Sequence, residues 1–386
     1  MNPILLSFIS IFAIIYGLSN YYIALRGWQA LASHSRPWAW VWIAAVTILA
    51  SLFILARLVA RVLPDGISKV MTYAGSYWMA AWYYLLLLLL LIDLLRLLAW
   101  IGPLPPLPWV QWRYPIFLLV SGMVSCLLIY GTWNAWHPVV RDYNLEMPKK
   151  TSNLDELNLV MVSDIHLGWI VGVDRLTTMV TMVNQLHPDL ILLVGDILDE
   201  GVDPQAEQEI PGILGQLSSR FGSYAVLGNH EYISGQADKL PAFLQAGGVT
   251  LLRDQSLQVG QSFYLVGRDD RSRGSMEDGK RKDLSELVTA IDLSALPVIL
   301  MDHQPFNLEE AESNRVDLQL SGHTHLGQIA PNQLITRAIY EDDWGYLRKG
   351  TLQLLVSCGF GTWGPPIRIG NHPEIVHVHI RFFSPT

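Results

Sequence analysis

The chain has 386 residues, 51% apolar and 16% charged, with a formal net charge of −8, and its length allows two or three domains. The charge is split unevenly: residues 1–150 hold ten Lys+Arg against four Asp+Glu and the rest 16 against 30, so the front is net +6 and the back net −14. A back half this acidic excludes the basic face of a nucleic-acid binder, and Cys126 and Cys358 offer neither a disulfide framework nor a CxxC pair.

The front half reads as membrane. Segments 3–25, 38–62, 73–101 and 114–133 each reach the roughly 20 apolar residues needed to cross a bilayer, which predicts a transmembrane region over 1–137. Eleven of the fourteen tryptophans precede residue 137, many near span ends, as an interfacial belt requires. The first segment lacks a basic n-region and a small-residue cleavage site, so it is expected to be retained. Four crossings would place the amino terminus and the back domain on one side. Arg61, Lys69, Arg141, Lys149 and Lys150 flank that side and Arg26, Arg36 and Arg113 the other, so the positive-inside rule favours a cytoplasmic domain on a multi-pass bacterial inner-membrane protein. Asp93 and Arg96, three apart in the third span, are either an ion pair or a functional pair. Residues 138–154, with Pro148, Lys149 and Lys150, read as a polar linker.

From residue 155 to 386 apolar runs alternate with helical patterns, such as 174–185 and 204–217, which argues for a layered α/β domain. Five runs end abruptly in polar side chains: Leu157–Ser163 before Asp164-Ile165-His166, Leu190–Gly195 before Asp196 and Asp199, Tyr224–Gly228 before Asn229-His230-Glu231, Pro297–Asp302 before His303, and Val316–Gly322 before His323-Thr324-His325. Open α/β sheets place their chemistry past the carboxyl ends of strands. Five such ends carrying carboxylate, amide and imidazole groups point to one shared metal site, and the mixed donors suit Mn, Fe or Zn better than Mg or Ca. Later runs 262–267, 352–357 and 375–380 are expected to add strands. The charged segment 268–283 reads either as a solvated excursion or as a lid whose Arg268, Arg271 and Arg273 meet phosphate. His377 and His379 share one strand face, and a structural or surface role is expected for them.

Taken together, the motifs Asp-x-His, Gly-Asp-x-x-Asp, Gly-Asn-His-Glu, His and Gly-His-x-His resemble those of the calcineurin-like metallophosphoesterase superfamily, over roughly residues 155–380. The stretch from Val356 through Pro365, Pro366, Arg368 and Pro373-Glu374-Ile375 looks like its membrane-associated bacterial branch; Asp302 before His303 departs from the usual small residue. The resemblance implies an α/β/β/α metallophosphoesterase domain behind the four-helix region. It also implies two divalent ions, with manganese favoured. Asp164, His166, Asp196 and His325 would hold one, and Asp196, Asn229, His303 and His323 the other. His230 would act as general acid and Asp199 as its orienter, while Glu231 is expected as an outer partner or cap. The implied reaction is hydrolysis of a phosphodiester, pyrophosphate or phosphomonoester by metal-bound hydroxide. A lipid or nucleotide-lipid substrate is suggested by relatives that cleave UDP-diacylglucosamine. The competing expectation is a non-catalytic metal-binding scaffold, or a membrane sensor or transporter carrying such a domain.

Overall fold

The computed structural model describes residues 3–59, 63–102, 108–199, 201, 204–276 and 279–383. The chain divides into two compact units, residues 1–132 with 364–366, and 133–363 with 367–386.

The first unit is helical. Helices α1 (Pro3–Leu31), α2 (Arg36–Val59), α3 (Asp65–Ile101) and α4 (Arg113–Ala135) follow the four apolar segments. Among the described residues three stretches are long and apolar enough to cross a membrane, Arg36–Ala56, Asp65–Ile101 and Arg113–Ala135, where the sequence predicted four. The fourth expectation falls on α1, whose first side chains, residues 3–9, lie outside the described residues, as does Arg61. The described part of α1 is also less uniformly apolar than the other helices. Its Ser19 and Asn20 accept hydrogen bonds from the indoles of Trp82 and Trp78 on α3, at 2.8 and 3.1 Å. Asp93 is tied to Arg96 at 3.1 Å, to the Tyr22 hydroxyl at 2.6 Å and to Arg26. The carboxylate thus links α1 to α3 as well as pairing along α3, which supports the ion-pair reading of Asp93 and Arg96. Large side chains such as Leu90, Leu94 and Leu98 are about half exposed, as a lipid-facing surface requires.

The second unit is built on two six-stranded sheets. Its strands are β1 (Val139–Pro148), β2 (Glu156–Val162), β3 (Leu190–Val194), β4 (Ser223–Val226), β5 (Val249–Leu251), β6 (Gln255–Val259), β7 (Phe263–Gly267), β8 (Val298–Met301), β9 (Leu318–Ser321), β10 (Gly345–Lys349), β11 (Leu352–Val356) and β12 (Glu374–Phe383). One sheet has the order β1-β12-β2-β3-β4-β5 and the other β10-β11-β9-β8-β7-β6. Within them β2-β3-β4-β5 and β7-β8-β9-β11 are parallel. Such strands must bury both faces, which is why they read as continuous apolar runs. Leu159, Met161, Leu192 and Val378 of the first sheet meet Leu265, Ile299, Met301 and Leu320 of the second in one core. Val160, Ile191 and Leu193 pack outward under α5 (Val173–Gln185), α6 (Pro204–Leu214) and α8 (Leu240–Ala246), the last preceded by the short α7 (Asn229–Ile233). The opposite sheet buries Val298, Leu300, Leu352 and Leu354 against Leu284, Leu287 and Leu308. The α/β/β/α layering expected from the sequence is therefore present.

The expected linker over 138–154 is different. Ten of its residues form β1, an edge strand paired in parallel with β12 from Val139↔Glu374 to Pro148↔Phe383. Leu145 and Met147 enter the inter-sheet core, with Tyr143 packed against it. The alternation of polar Asp142, Asn144 and Glu146 with these residues is the period of a strand with one wet face, which a parallel edge strand can have.

A close helix contact gives a test in the membrane unit. A Cβ on Gly75 of α3 would lie 2.7 Å from the Phe53 Cα of α2, so only glycine permits this approach. Gly75→Leu should force the two helices apart, costing about 1–3 kcal/mol. The expected result is a lower thermal midpoint of the full chain in detergent; an unchanged midpoint would refute the contact.

Candidate metal centre

The loops after β2, β3, β4, β8 and β9 deliver every residue that the motifs singled out. Asp164 and His166 follow β2, Asp196 and Asp199 follow β3, Asn229 and His230 open α7 after β4, His303 follows β8, and His323 and His325 follow β9. Five of them, Asp164, His166, Asp196, His323 and His325, hold positive φ between 49° and 71°. Non-glycine residues adopt that region at a cost and persist there where the surroundings over-determine them, a pattern that concentrates at functional sites. Gly228 is needed beside them, because a Cβ there would sit 2.2 Å from Asp196 Oδ1.

Two groups form. In the first, His325 Nε2 lies 3.2 Å from Asp164 Oδ1 and 3.0 Å from His166 Nε2. In the second, His303 Nε2 lies 3.1 Å from Asp196 Oδ2, and His323 Nδ1 lies 2.6 Å from Asn229 Oδ1. Asp196 also stands 3.9 Å from His166 Nε2, which puts it between the groups. The donors fit divalent cations on two further grounds. His303 Nδ1 lies 2.8 Å from the Val194 carbonyl and must donate to it, so the lone pair is on Nε2, a buried atom without a hydrogen-bond partner. Asp164–His166–His325 and Asp196–His303–His323 each bring three ligand atoms within 4.8 Å of one another.

Electrostatics separates these imidazoles. Burial holds His325 down at about 4, helped by His166 and Arg368, and burial with the His303 charge holds His323 at about 4, so both are neutral ligands near pH 7. Burial also lowers His303, but the Asp196 carboxylate outweighs it and raises the group well above its ordinary value. The carboxyls of Asp164 and Asp196 are desolvated by burial, yet the facing histidines hold them below the usual range.

His230 stands beside this cluster, its ring edge-on to His166 with centroids 4.6 Å apart. Its Nδ1 lies 3.2 Å from Asp199 Oδ1, while Asp199 Oδ2 faces His166 Nδ1 at 3.5 Å. One carboxylate thus orients two imidazoles, where the sequence predicted one. Burial lowers His230, but the Asp199 hydrogen bond and the Asp196 charge raise it to about 9.

Glu231 takes the outer role expected of it. Its buried carboxylate accepts from the backbone N–H groups of Asp196, Ile197, Leu198 and Gly228 at 2.6–3.1 Å, fixing the loop that carries Asp196. Arg368 was less legible. Fully buried, it donates to the carbonyls of Cys358, Gly359 and Gly361 at 2.7–3.1 Å, and its Nη2 lies 3.3 Å from His325 Nδ1. Asn371 continues the tie by accepting from Arg368 and donating to the His325 carbonyl. An arginine in a loop gives no sequence signal of burial; only a run of glycine carbonyls nearby hints at it.

Neither reading of 268–283 describes its arginines as a group. Arg268 is buried, paired with Glu310 at 2.7 Å and Asp302 at 3.3 Å, and Arg273 pairs with Asp269 at 3.1 Å. Their guanidinium groups are taken by carboxylates, from distant Glu310 and Asp302 for Arg268 and from Asp269 within the same segment for Arg273, which removes them from a phosphate-binding lid. Arg271 is the exposed one of the three, 4.8 Å from the Phe306 ring. The Asp302 carboxylate, which stands where a small residue is usual, is likewise paired, since Arg281 donates to it at 2.9 Å.

Known proteins resemble this chain. Residues 157–327 match the model of the calcineurin-like phosphoesterase family. A Danio rerio transmembrane protein with metallophosphoesterase domain is 32% identical over 70% of this chain, which spans 63% of that relative's length. An uncharacterized metallophosphoesterase of Aquifex aeolicus is 34% identical, covering 63% of this chain and 91% of its own. Another, from Helicobacter pylori, is 32% identical over 67% of this chain and 69% of its own. Relatives from animals and bacteria alike show that the likeness is wider than a bacterial branch. With these motifs gathered at the strand ends, and with relatives covered over more than two thirds of their length, the chain belongs to the calcineurin-like phosphoesterase family.

Proposed function

We propose that the chain is a membrane-anchored, metal-dependent phosphoesterase that hydrolyses a phosphodiester, pyrophosphate or phosphomonoester. The observation that carries this reading is the pair of Asp/His groups meeting at Asp196, with an Asp199-oriented His230 at their edge. Asp164, His166, Asp196 and His325 would hold one divalent ion, and Asp196, Asn229, His303 and His323 the second. Bound there, the ions supply Lewis-acid stabilisation of phosphoryl charge and an acidified water.

The protein's own groups do the rest. Asp199 accepts from Nδ1 of His230, fixing the ring and leaving Nε2–H to protonate the departing oxygen. A raised affinity for that proton keeps His230 charged at neutral pH. Glu231 keeps Asp196 in place as charge accumulates, through the same backbone groups it holds at rest. Apolar helices in the same chain favour an amphiphilic phosphate ester as the substrate class, and the mixed carboxylate, amide and imidazole donors favour manganese. The positive flank of Lys69, Arg141, Lys149 and Lys150 supports a cytoplasmic placement at a bacterial inner membrane.

The first test is hydrolysis of bis-p-nitrophenyl phosphate by the full chain in detergent. Chelation should abolish the rate and Mn²⁺ restore it. Asp196→Asn should lower it beyond the roughly 10–100-fold expected of an outer-sphere change. A chelator-insensitive rate would sink the proposal. A second measurement reads the pH profile with a poor leaving group. His230 is protonated below its pKa, so the rate should fall as pH rises through a limb no higher than about 9, since bound cations lower it. Asp199→Asn should move that limb to lower pH and His230→Ala remove it; a limb that stays in His230→Ala assigns the acid elsewhere. For orientation, a cysteine replacing the exposed Asp155 should resist membrane-impermeant labelling in intact cells and react after lysis. Labelling in intact cells would place the domain outside.

A further inference from the structure

On the outer face of the first sheet, well away from the centre just described, two histidines of β12 and an aspartate of β1 converge. Asp142 is in register with His377, and Asn144 with His379. The ligand atoms of Asp142, His377 and His379 lie within 4.8 Å of one another, and the two imidazoles stand 4.2 Å apart between centroids. Asn158, paired with His379 on β2, precedes Asp164 by six residues along the strand direction, a separation of about 20 Å at some 3.3 Å per residue. The cluster and the candidate metal centre are separate places.

Hydrogen-bond polarity shows what the cluster lacks. The Asn158 side chain donates from Nδ2 to the carbonyls of Leu186 and His187, at 2.9 and 3.1 Å, so its Oδ1 is the end turned to His377. That oxygen lies 2.5 Å from His377 Nε2, which must therefore donate. A neutral His377 then carries its lone pair on Nδ1, and this atom faces Asp142 Oδ1 at 2.8 Å. Two acceptors face each other, a contact that only a proton or a cation can hold. An outer amide that fixes the tautomer of one histidine, leaving the other nitrogen toward a carboxylate and a second histidine, is the arrangement of a metal ligand and its support.

We propose that Asp142, His377 and His379 form a second, independent metal site of the zinc class, which staples edge strand β1 to β12. Two imidazoles and one carboxylate are the ligands of a tetrahedral zinc with its fourth position open. Ligands about 2 Å from such an ion lie roughly 3.3 Å apart, so closing the site needs side-chain adjustments on the scale of an ångström from atoms already within 4.8 Å of one another. The Asp142 side chain is 61% exposed and free to make them. His377 is buried and His379 exposed, so the site is anchored on one side and reaches water on the other. The ion would add a metal-centred link between side chains of two strands already joined by their backbone ladder and by apolar packing.

The test uses the full chain in detergent, stripped by chelator and dialysed against buffered micromolar zinc. Bound metal is counted by mass spectrometry for the wild type, His379→Ala and Asp142→Asn. The wild type should retain about one equivalent more than either variant, and zinc should raise its thermal midpoint further than theirs, with phosphoesterase rates alike in all three. Both positions are exposed, so circular dichroism should show folded variants. Equal metal counts in the three proteins would overturn the site.

Discussion

Lone pairs confined without enough protons are the constraint on which the catalytic half depends. Asp164, Asp196 and Asp199 lie within a few ångströms of His166, His230, His303 and His325, almost wholly out of water. Such a gathering is unfavourable unless positive charge sits inside it, because buried charges and acceptors without partners are costly. The fold supplies what opposes the repulsion: two mixed sheets whose parallel inner strands hold the site loops side by side, and positive-φ loop residues held by their neighbours. Glu231, gathering four backbone N–H groups, is the clearest case of an acid used for scaffolding beside the acids that could hold a metal.

The same principle separates neighbouring arginines that look alike in sequence. Arg268 and Arg273 neutralise internal carboxylates, Arg368 gathers carbonyls behind His325, and Arg271 lies on the surface. Arg273 has a local partner in Asp269, four residues before it, but the other partners come from Asp302, Glu310, Asp254 and the 358–361 loop, segments distant along the chain. Local pattern alone does not sort these arginines.

Legibility in the sequence followed the range of the forces involved. Apolar runs at β2, β3, β4, β8 and β9 and the polar residues after them were readable, because burial on both faces and the strand-end position are local consequences of a parallel sheet. Strand β1 was passed over although its alternation was present, since Asp142, Asn144, Glu146 and Pro148 resemble the polar residues of a linker. Its inward side chains are only Tyr143, Leu145 and Met147, and what makes it a strand is the length of β12 beside it. The short β5, β6 and β10 were missed for a related reason: they are edge strands whose partly exposed residues break the apolar run that marks the inner strands. The second role of Asp199, toward His166, needed three-dimensional proximity to be seen.

The pairing of β1 along all of β12 redraws where the catalytic half begins. The family match starts at residue 157, and a soluble fragment cut there would keep every motif. It would also strip the outermost strand from the first sheet, exposing ten residues of unpaired ladder on β12 and the apolar pocket that Leu145 and Met147 fill. A bare edge of that length invites association with other chains. The practical border for expression and crystallisation therefore lies near residue 133, and loss of solubility in shorter fragments would reflect a missing strand and say nothing about the chemistry.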